Sequence, residues 1–317
     1  MQDCLSGQKY ILVFGASVVD MFGFCNSSYK ACDSIPGKIK ISFGGVSRNI
    51  AENMARVGVK TKFISIVGDD EIGRSMLTHS LKIGYDMTNS LILEGRSTPT
   101  YMAILDQTGE MVSAVADLDS ISAMSTEFID SKGPMIENAA FTFLDADDPI
   151  NLEYLLTKFE GKTNFILDPI SSTKAEKVKH LIKYFHTIKP NRVEAEVLSG
   201  IKINTREDLE KVGKHFLSLG IKNVFISLDA DGIYYTNGTE SGTLKATGVT
   251  VKNVTGAGDS FVAGLGFGYM NDLSIKDTVK FSMAMSIVTI SHEETIHPKM
   301  GHELIQEIIE KTNWIEN

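Results

Sequence analysis

Short apolar runs alternate along the chain with longer segments whose apolar positions recur every three or four residues. Tyr10–Phe14, Phe63–Val67, Phe141–Leu144, Asn164–Asp168 and Val224–Leu228 are too short for helices and predict buried strands. Ser47–Val57 predicts a helix, with Ile50, Met54 and Val57 on one face and Gly58 as its stop. Arg206–Leu219 predicts another. Leu209, Val212, Phe216 and Leu219 share a face there, Thr205 and Asp208 form a capping box, and Gly220 follows the end. Alternating strand and helix signals imply an α/β fold with a mainly parallel sheet covered on both faces.

Two stretches break the rhythm. Phe22–Phe43 and Thr98–Ala116 read as hairpins or extended segments, and in the second Gln107-Thr-Gly-Glu110 is a turn between Tyr101–Asp106 and Met111–Ala116. Paired together, segments 22–43 and 98–116 would make a small β-sheet lid over one face of the body. Tyr101 is expected either to face a ligand or to pack within that lid. No repeat or Pro/Gly-rich linker divides the chain, so a single domain over residues 1–317 is expected.

Composition narrows the function classes. Hydrophobic residues make up 43% and charged residues 22%, as in a water-soluble globular protein. A net charge of -9 argues against a broad nucleic-acid surface. No segment has the length of a membrane span, so neither a nucleic acid polymer nor a membrane is an expected partner. Cys4, Cys25 and Cys32 have no metal-binding or CxxC spacing and read as reduced thiols in a cytoplasmic protein.

Four segments carry candidate chemistry. In Asn253-Val-Thr-Gly-Ala-Gly-Asp-Ser-Phe261, a strand over Thr250–Val254 would run into a small-residue helix over Ser260–Tyr269. Gly256, Ala257 and Gly258 can present backbone N–H groups at that helix start, an anion hole aided by the helix dipole. Asp259 beside it either caps the helix or accepts a proton from a hydroxyl attacking a phosphate. In Phe43-Gly-Gly-Val-Ser-Arg-Asn49, Gly44 and Gly45 allow close approach of the backbone to a ligand and aim Asn49 at it, or else mark a loop whose helix Ser47 caps. Asp20 ends Gly15-Ala-Ser-Val-Val-Asp20, where open α/β sheets bind ligands, although an Asp at a turn also serves structure alone. Asn191 and Glu194 in Lys189-Pro-Asn-Arg-Val-Glu194 either hold metal-bound water near phosphates or simply start a helix.

Taken in order, these segments resemble the ribokinase-like, or PfkB, carbohydrate kinases over about residues 10–300. The resemblance implies a three-layer sandwich with a mainly parallel central sheet, and transfer of phosphate from ATP with Mg²⁺. It implies that Asp259 is the catalytic base, that Gly256, Ala257 and Gly258 form the anion hole, and that Asp20, Gly44, Gly45 and Asn49 hold substrate hydroxyls. Asn191 and Glu194 would organise Mg²⁺ through water, and Asn191, Ser227 and Gly232 would adjoin the nucleotide, with Asp229 where many relatives have Gly. Asn253 stands where ribokinase has an Asp near a monovalent-cation site, so a cation such as K⁺ is a further candidate. Gly44-Gly-Val-Ser-Arg-Asn49, together with Ala114–Asp119 and Ser291–Pro298, resembles the members that phosphorylate pseudouridine at its 5′-hydroxyl. Ser47, Arg48 and Asp117 are then candidate contacts to that nucleoside, Arg48 having the alternative of pairing with Glu52 one helical turn on. Ribose, adenosine or another carbohydrate is the alternative acceptor. The chain would be a monomer, or a homodimer formed through the lid.

Two other classes compete. A dinucleotide-binding dehydrogenase needs G-x-G-x-x-G after an early strand, and Gly15-Ala-Ser-Val-Val-Asp20 lacks it. A non-catalytic ligand-binding protein on the same fold is the other, since fold alone does not fix activity.

Overall fold

The computed structural model describes residues 9–317, so Cys4 lies outside the described residues. Ten strands form the central sheet. Its order from edge to edge is Asn313–Glu316, Ser241–Thr247, Ile233–Thr236, Asn223–Ser227, Thr187–Ile188, Asn164–Asp168, Phe141–Asp145, Ile11–Phe14, Thr61–Ile64 and Tyr85–Asp86. From Tyr85–Asp86 through to Asn223–Ser227 the pairing is parallel, and the last three strands at the other edge are antiparallel.

Period-two alternation divides the core between the two faces of this sheet. In the strand Ile11–Phe14, Leu12 and Phe14 enter one cluster with Leu152, Leu155, Val212 and Phe216. Ile11 and Val13 enter the other, with Ile50, Met54, Val262, Phe281 and Met285. Each fully buried aliphatic side chain contributes about 1.5–3 kcal/mol. The helices Val46–Arg56, Ala257–Met270 and Ile275–Ile290 are thereby pinned to one face. The helix Ala257–Met270 is rich in small residues because it lies close on its neighbour. A Cβ on Gly264 would come 2.5 Å from Ser282 Cα.

A separate four-stranded sheet has the order Gly37–Gly44, Val18–Cys25, Thr100–Leu105 and Met111–Asp117. The two excursions expected to be β-structure are its two halves. Asp106 closes the expected turn, its carboxylate accepting from the N–H groups of Thr108 and Glu110.

Two expected strands differ. Phe63–Val67 is not one strand: Thr61–Ile64 belongs to the central sheet, and Ile66–Gly68 pairs with Leu91–Leu93 in a two-stranded sheet. The break falls at buried Ser65, whose hydroxyl donates to Ser17 Oγ at 2.9 Å and whose N–H is taken by Ser90 Oγ. Thr250–Val254 is irregular rather than a strand. Val251 and Val254 are exposed, and the N–H groups of Lys252 and Asn253 bond to the Ile290 carbonyl instead of to a neighbouring strand. Among the described residues no helix is long and apolar enough to cross a membrane.

Candidate active site

The helix Val46–Arg56 is the hub. Its N-cap is Gly45, at φ 95°, with no side-chain cap. Ser47 is therefore not the cap, and its hydroxyl donates instead to Asp145 Oδ2 at 2.5 Å. Two residues on, Asn49 Nδ2 donates to Asp259 Oδ2 at 2.7 Å. Gly44 and Gly45 are needed for closeness. A Cβ on Gly44 would overlap the Asp20 carboxylate, and one on Gly45 would come 2.9 Å from the Ala16 carbonyl oxygen.

Asp259 lies in the first turn of the helix Ala257–Met270. The N-cap there is Gly256, in the left-handed region at φ 82°, and no side chain caps the helix. Asp259 is thus not a cap; its carboxylate turns to Asn49. Gly256 is fixed both by its φ and by the Thr295 carbonyl, which a Cβ would approach to 2.5 Å. Burial foremost, then the charge of Asp168, pushes Asp259 up to about 7, against Asn49, Lys189 and Arg48, which lower it. Asp20 is also raised by burial, with Arg48 opposing.

Lys189, 6% exposed, closes the far side. Its Nζ stands 3.6 Å from Asp168 Oδ2, and a Cβ on Gly258 would be 3.0 Å from it, so the ammonium sits at the glycine-rich helix start. Asp168 and Lys189 are candidate site residues that pattern reading did not single out, as is Asp145. Asp145 and Asp168 are register partners at the ends of adjacent parallel strands. A carboxylate ending each of two buried strands is the signal that would have found them.

Asn191 and Glu194 form a capping box. The Glu194 N–H donates to Asn191 Oδ1 at 2.9 Å, and the Asn191 N–H donates to Glu194 Oε2 at 2.8 Å. Glu194 is buried and raised, by desolvation first and, among further causes, by the Asp168 charge, a setting that a cation would relieve. Among the described residues no three His, Cys, Asp or Glu side chains are placed to cage a metal. Hard oxygen donors in small number, with water completing the shell, suit Mg²⁺. Ser227 adjoins Asn191 through a parallel bridge, its N–H donating to the Pro190 carbonyl at 3.0 Å. Gly232 ends the short turn that follows, and Asp229 takes the left-handed φ of 52°, which Asp tolerates better than most residues.

Two expected contacts, Arg48 and Asp117, are turned away from the Asp20–Asp259 side. Arg48 is 3% exposed and takes the alternative partner, Glu52, at 2.6 Å. Asp117 is exposed and pairs with Thr100, whereas Asp20, Tyr101 and Ala116 are register partners. Alternation along the strand therefore puts Asp117 on the opposite face of the small sheet. Tyr101 shares the Asp20 face but packs within the sheet, 6.3 Å edge-on from Phe22 with its hydroxyl toward Met111 Sδ. Asn253 binds its own loop, donating to the Glu293 carbonyl and accepting from the Thr255 N–H.

The comparisons agree with this architecture. Residues 8–300 match the pfkB family carbohydrate kinase. Pseudouridine kinase of Escherichia coli (strain K12) is 36% identical over 96% of this chain and 97% of its own. A solved sugar-kinase candidate from Clostridium perfringens is 63% identical, covers 98% of both chains and superposes with a TM-score of 0.96. Arabidopsis thaliana ribokinase, solved with ribose and ATP, shares the fold at 18% identity, with a TM-score of 0.79 and coverage of 95% of this chain and 98% of its own. The chain belongs to the pfkB family of carbohydrate kinases and is an ATP-dependent kinase of a sugar or nucleoside.

Proposed function

We propose that this kinase transfers the γ-phosphoryl group of ATP to the 5′-hydroxyl of a ribonucleoside, pseudouridine foremost, with Asp259 as general base. The observation that carries the reading is Asp259 itself. A carboxylate at a glycine-rich helix start repels phosphate, and its presence makes chemical sense if it takes a proton there. Held by the Asn49 amide and pushed up to about 7, it is poised to accept one near neutral pH.

Asp20 and the backbone at Gly44 and Gly45 hold the sugar hydroxyls. Asp259 accepts the hydroxyl proton as the acceptor oxygen bonds to the γ-phosphorus and the bond to the ADP oxygen breaks. The N–H groups at Gly256 and Gly258, with the Lys189 ammonium, stabilise charge on the transferring group, while the Ala257 N–H of the expected anion hole donates to the Val254 carbonyl at 3.3 Å. Asn191 and Glu194, with Asp168 close by, would hold Mg²⁺ through water, whose charge neutralises the phosphates. Ser227 and Gly232 border the nucleotide. Asn253 offers no anionic ligand to a monovalent cation, and no step is assigned to K⁺. The small sheet acts as a lid that excludes water.

The nucleoside reading is supported by the 36% identity to pseudouridine kinase. The test is turnover of pseudouridine, uridine, ribose and adenosine side by side with Mg-ATP. The expected kcat/KM is highest for pseudouridine. Faster turnover of ribose or adenosine overturns the acceptor and leaves the kinase standing.

A further inference from the structure

The helix Val46–Arg56 carries a buried charged network that the proposed chemistry leaves unused. Arg48 and Glu52 are each 3% exposed. A buried ion pair returns little net stability over an apolar pair of similar size, so stability alone is a weak reason for one. Glu52 is held from three directions, by Arg48 Nη1 at 2.6 Å, Arg56 Nη2 at 2.7 Å and His79 Nε2 at 2.8 Å. Arg56 also donates to the Pro298 carbonyl at 3.0 Å, which ties the network to the far end of the chain.

The other arm of Arg48 leads to the site. Nη2 donates to Asn49 Oδ1 at 2.5 Å and Nε to the Gly44 carbonyl at 3.2 Å. A carboxamide can turn either its oxygen or its NH₂ toward a neighbour. Arg48 has only donors, so the Asn49 oxygen must face it, and the NH₂ is thereby committed to Asp259.

We propose that the buried Arg48–Glu52 pair is a positioning device that orients the Asn49 carboxamide and, through it, aims the Asp259 carboxylate at the acceptor hydroxyl. The inference rests on Asp259 being the base. Neither member of the pair touches reacting atoms. Without Arg48 the Asn49 amide is free to turn over and set its oxygen against the carboxylate. Asp259 then loses a donor that favours its charged form and the partner that fixes its direction.

Charge acting through space must be separated from orientation. Asp259 is faced by Asp168, Lys189, Arg48 and Asn49. Glu52 is faced by Arg48, Arg56 and His79, and buried Tyr85 lies against both members of the pair. Asp20 also feels Arg48.

The experiment compares Arg48→Met and Arg48→Lys by kcat, KM and the acidic limb of kcat/KM, with Mg-ATP and the fastest acceptor of the panel. Lys keeps the charge but lacks the planar fork that reaches Glu52 and Asn49 together. Both variants are expected to lose about 10–100-fold in kcat, as misaligned reacting groups do. Both are also expected to shift the acidic limb to higher pH. A wild-type limb and kcat in Arg48→Lys overturn the proposal in favour of charge alone. A kcat loss with unmoved limbs in both variants overturns it in favour of a structural role. If neither variant folds, Glu52→Gln, which keeps the shape, is expected to move the limb the same way by less. A folded Glu52→Gln enzyme with wild-type kcat and limb then overturns it. Asp259→Asn separates the two readings: near-normal turnover there sinks the base assignment itself, whereas an inactive Asp259→Asn beside unmoved Arg48 limbs sinks only the positioning role.

Discussion

One helix supplies a donor to each of two carboxylates, and the two corners differ. At one, Ser47 donates to Asp145, which is 6% exposed and crowded by Asp147 and Lys174. At the other, Asn49 donates to Asp259 at the start of a glycine-rich helix, with Lys189 opposite. Burial raises the proton affinity of both. The first lines a cavity walled by Phe14, Leu144 and Leu152, whereas the second stands at the glycine-rich helix start with Lys189, the setting proposed for the phosphate, so a raised carboxylate alone does not mark a base. Its surroundings must also hold the other reactant.

The sharpest way to break the comparison is to neutralise each corner. Asp259→Asn is expected to lower kcat by about 10²–10⁴-fold with ATP affinity nearly intact. Asp145→Asn keeps the shape and an acceptor for Ser47, and is expected to lower kcat/KM by no more than about tenfold through looser seating of the helix start. Equal losses in steady-state kinetics would erase the distinction between the corners.

A pH series sharpens it next. The base must be ionised, so kcat/KM should fall as pH drops below about 7, approaching tenfold per unit. The Asp145→Asn profile should keep that limb. Stability moves the other way. A carboxyl raised in the folded state binds its proton more tightly there than in the unfolded chain, so folding loses stability as pH rises from about 4 toward 7. Asp259→Asn should therefore raise Tm at pH 8 and leave it nearly unchanged at pH 4, by differential scanning fluorimetry at both pH values.

The smallest expected effect lies farther out. Glu194→Gln keeps most of the capping box but removes a charge that would face Mg²⁺. The Mg²⁺ concentration for half-maximal rate should rise several-fold, with kcat at saturating Mg²⁺ reduced less than in either Asp variant. An unchanged Mg²⁺ titration would remove Glu194 from the metal's surroundings.

Local signals were legible in the sequence and register was not. The helix Arg206–Ser218 with its Thr205–Asp208 box, the Asp106–Glu110 turn and the two glycine-led helix starts each follow from residues a few positions apart. Asp168 and Lys189 meet only because parallel strands end side by side, which no local spacing states. Asp117 was misjudged for the same reason: a hairpin's face is set by its register, and a shift of one residue reverses it. Thr250–Val254 has strand composition but no neighbour to pair with, so its apolar residues stay outside.

The small sheet also constrains the order in which this molecule can assemble. Its central pair joins Val18–Cys25 to Thr100–Leu105, strands separated by the strand Gly37–Gly44, the glycine-led helix, four short strands and the helix Glu71–Ile83. Closing so long a loop sacrifices chain entropy that local hairpins do not. Folding of the body between those strands shortens the gap and lowers that cost. In a growing chain the two strands that carry Asp20 and Gly44 are both present well before the strand that carries Tyr101, so the partners of the Asp20 corner are supplied early and its sheet is completed late.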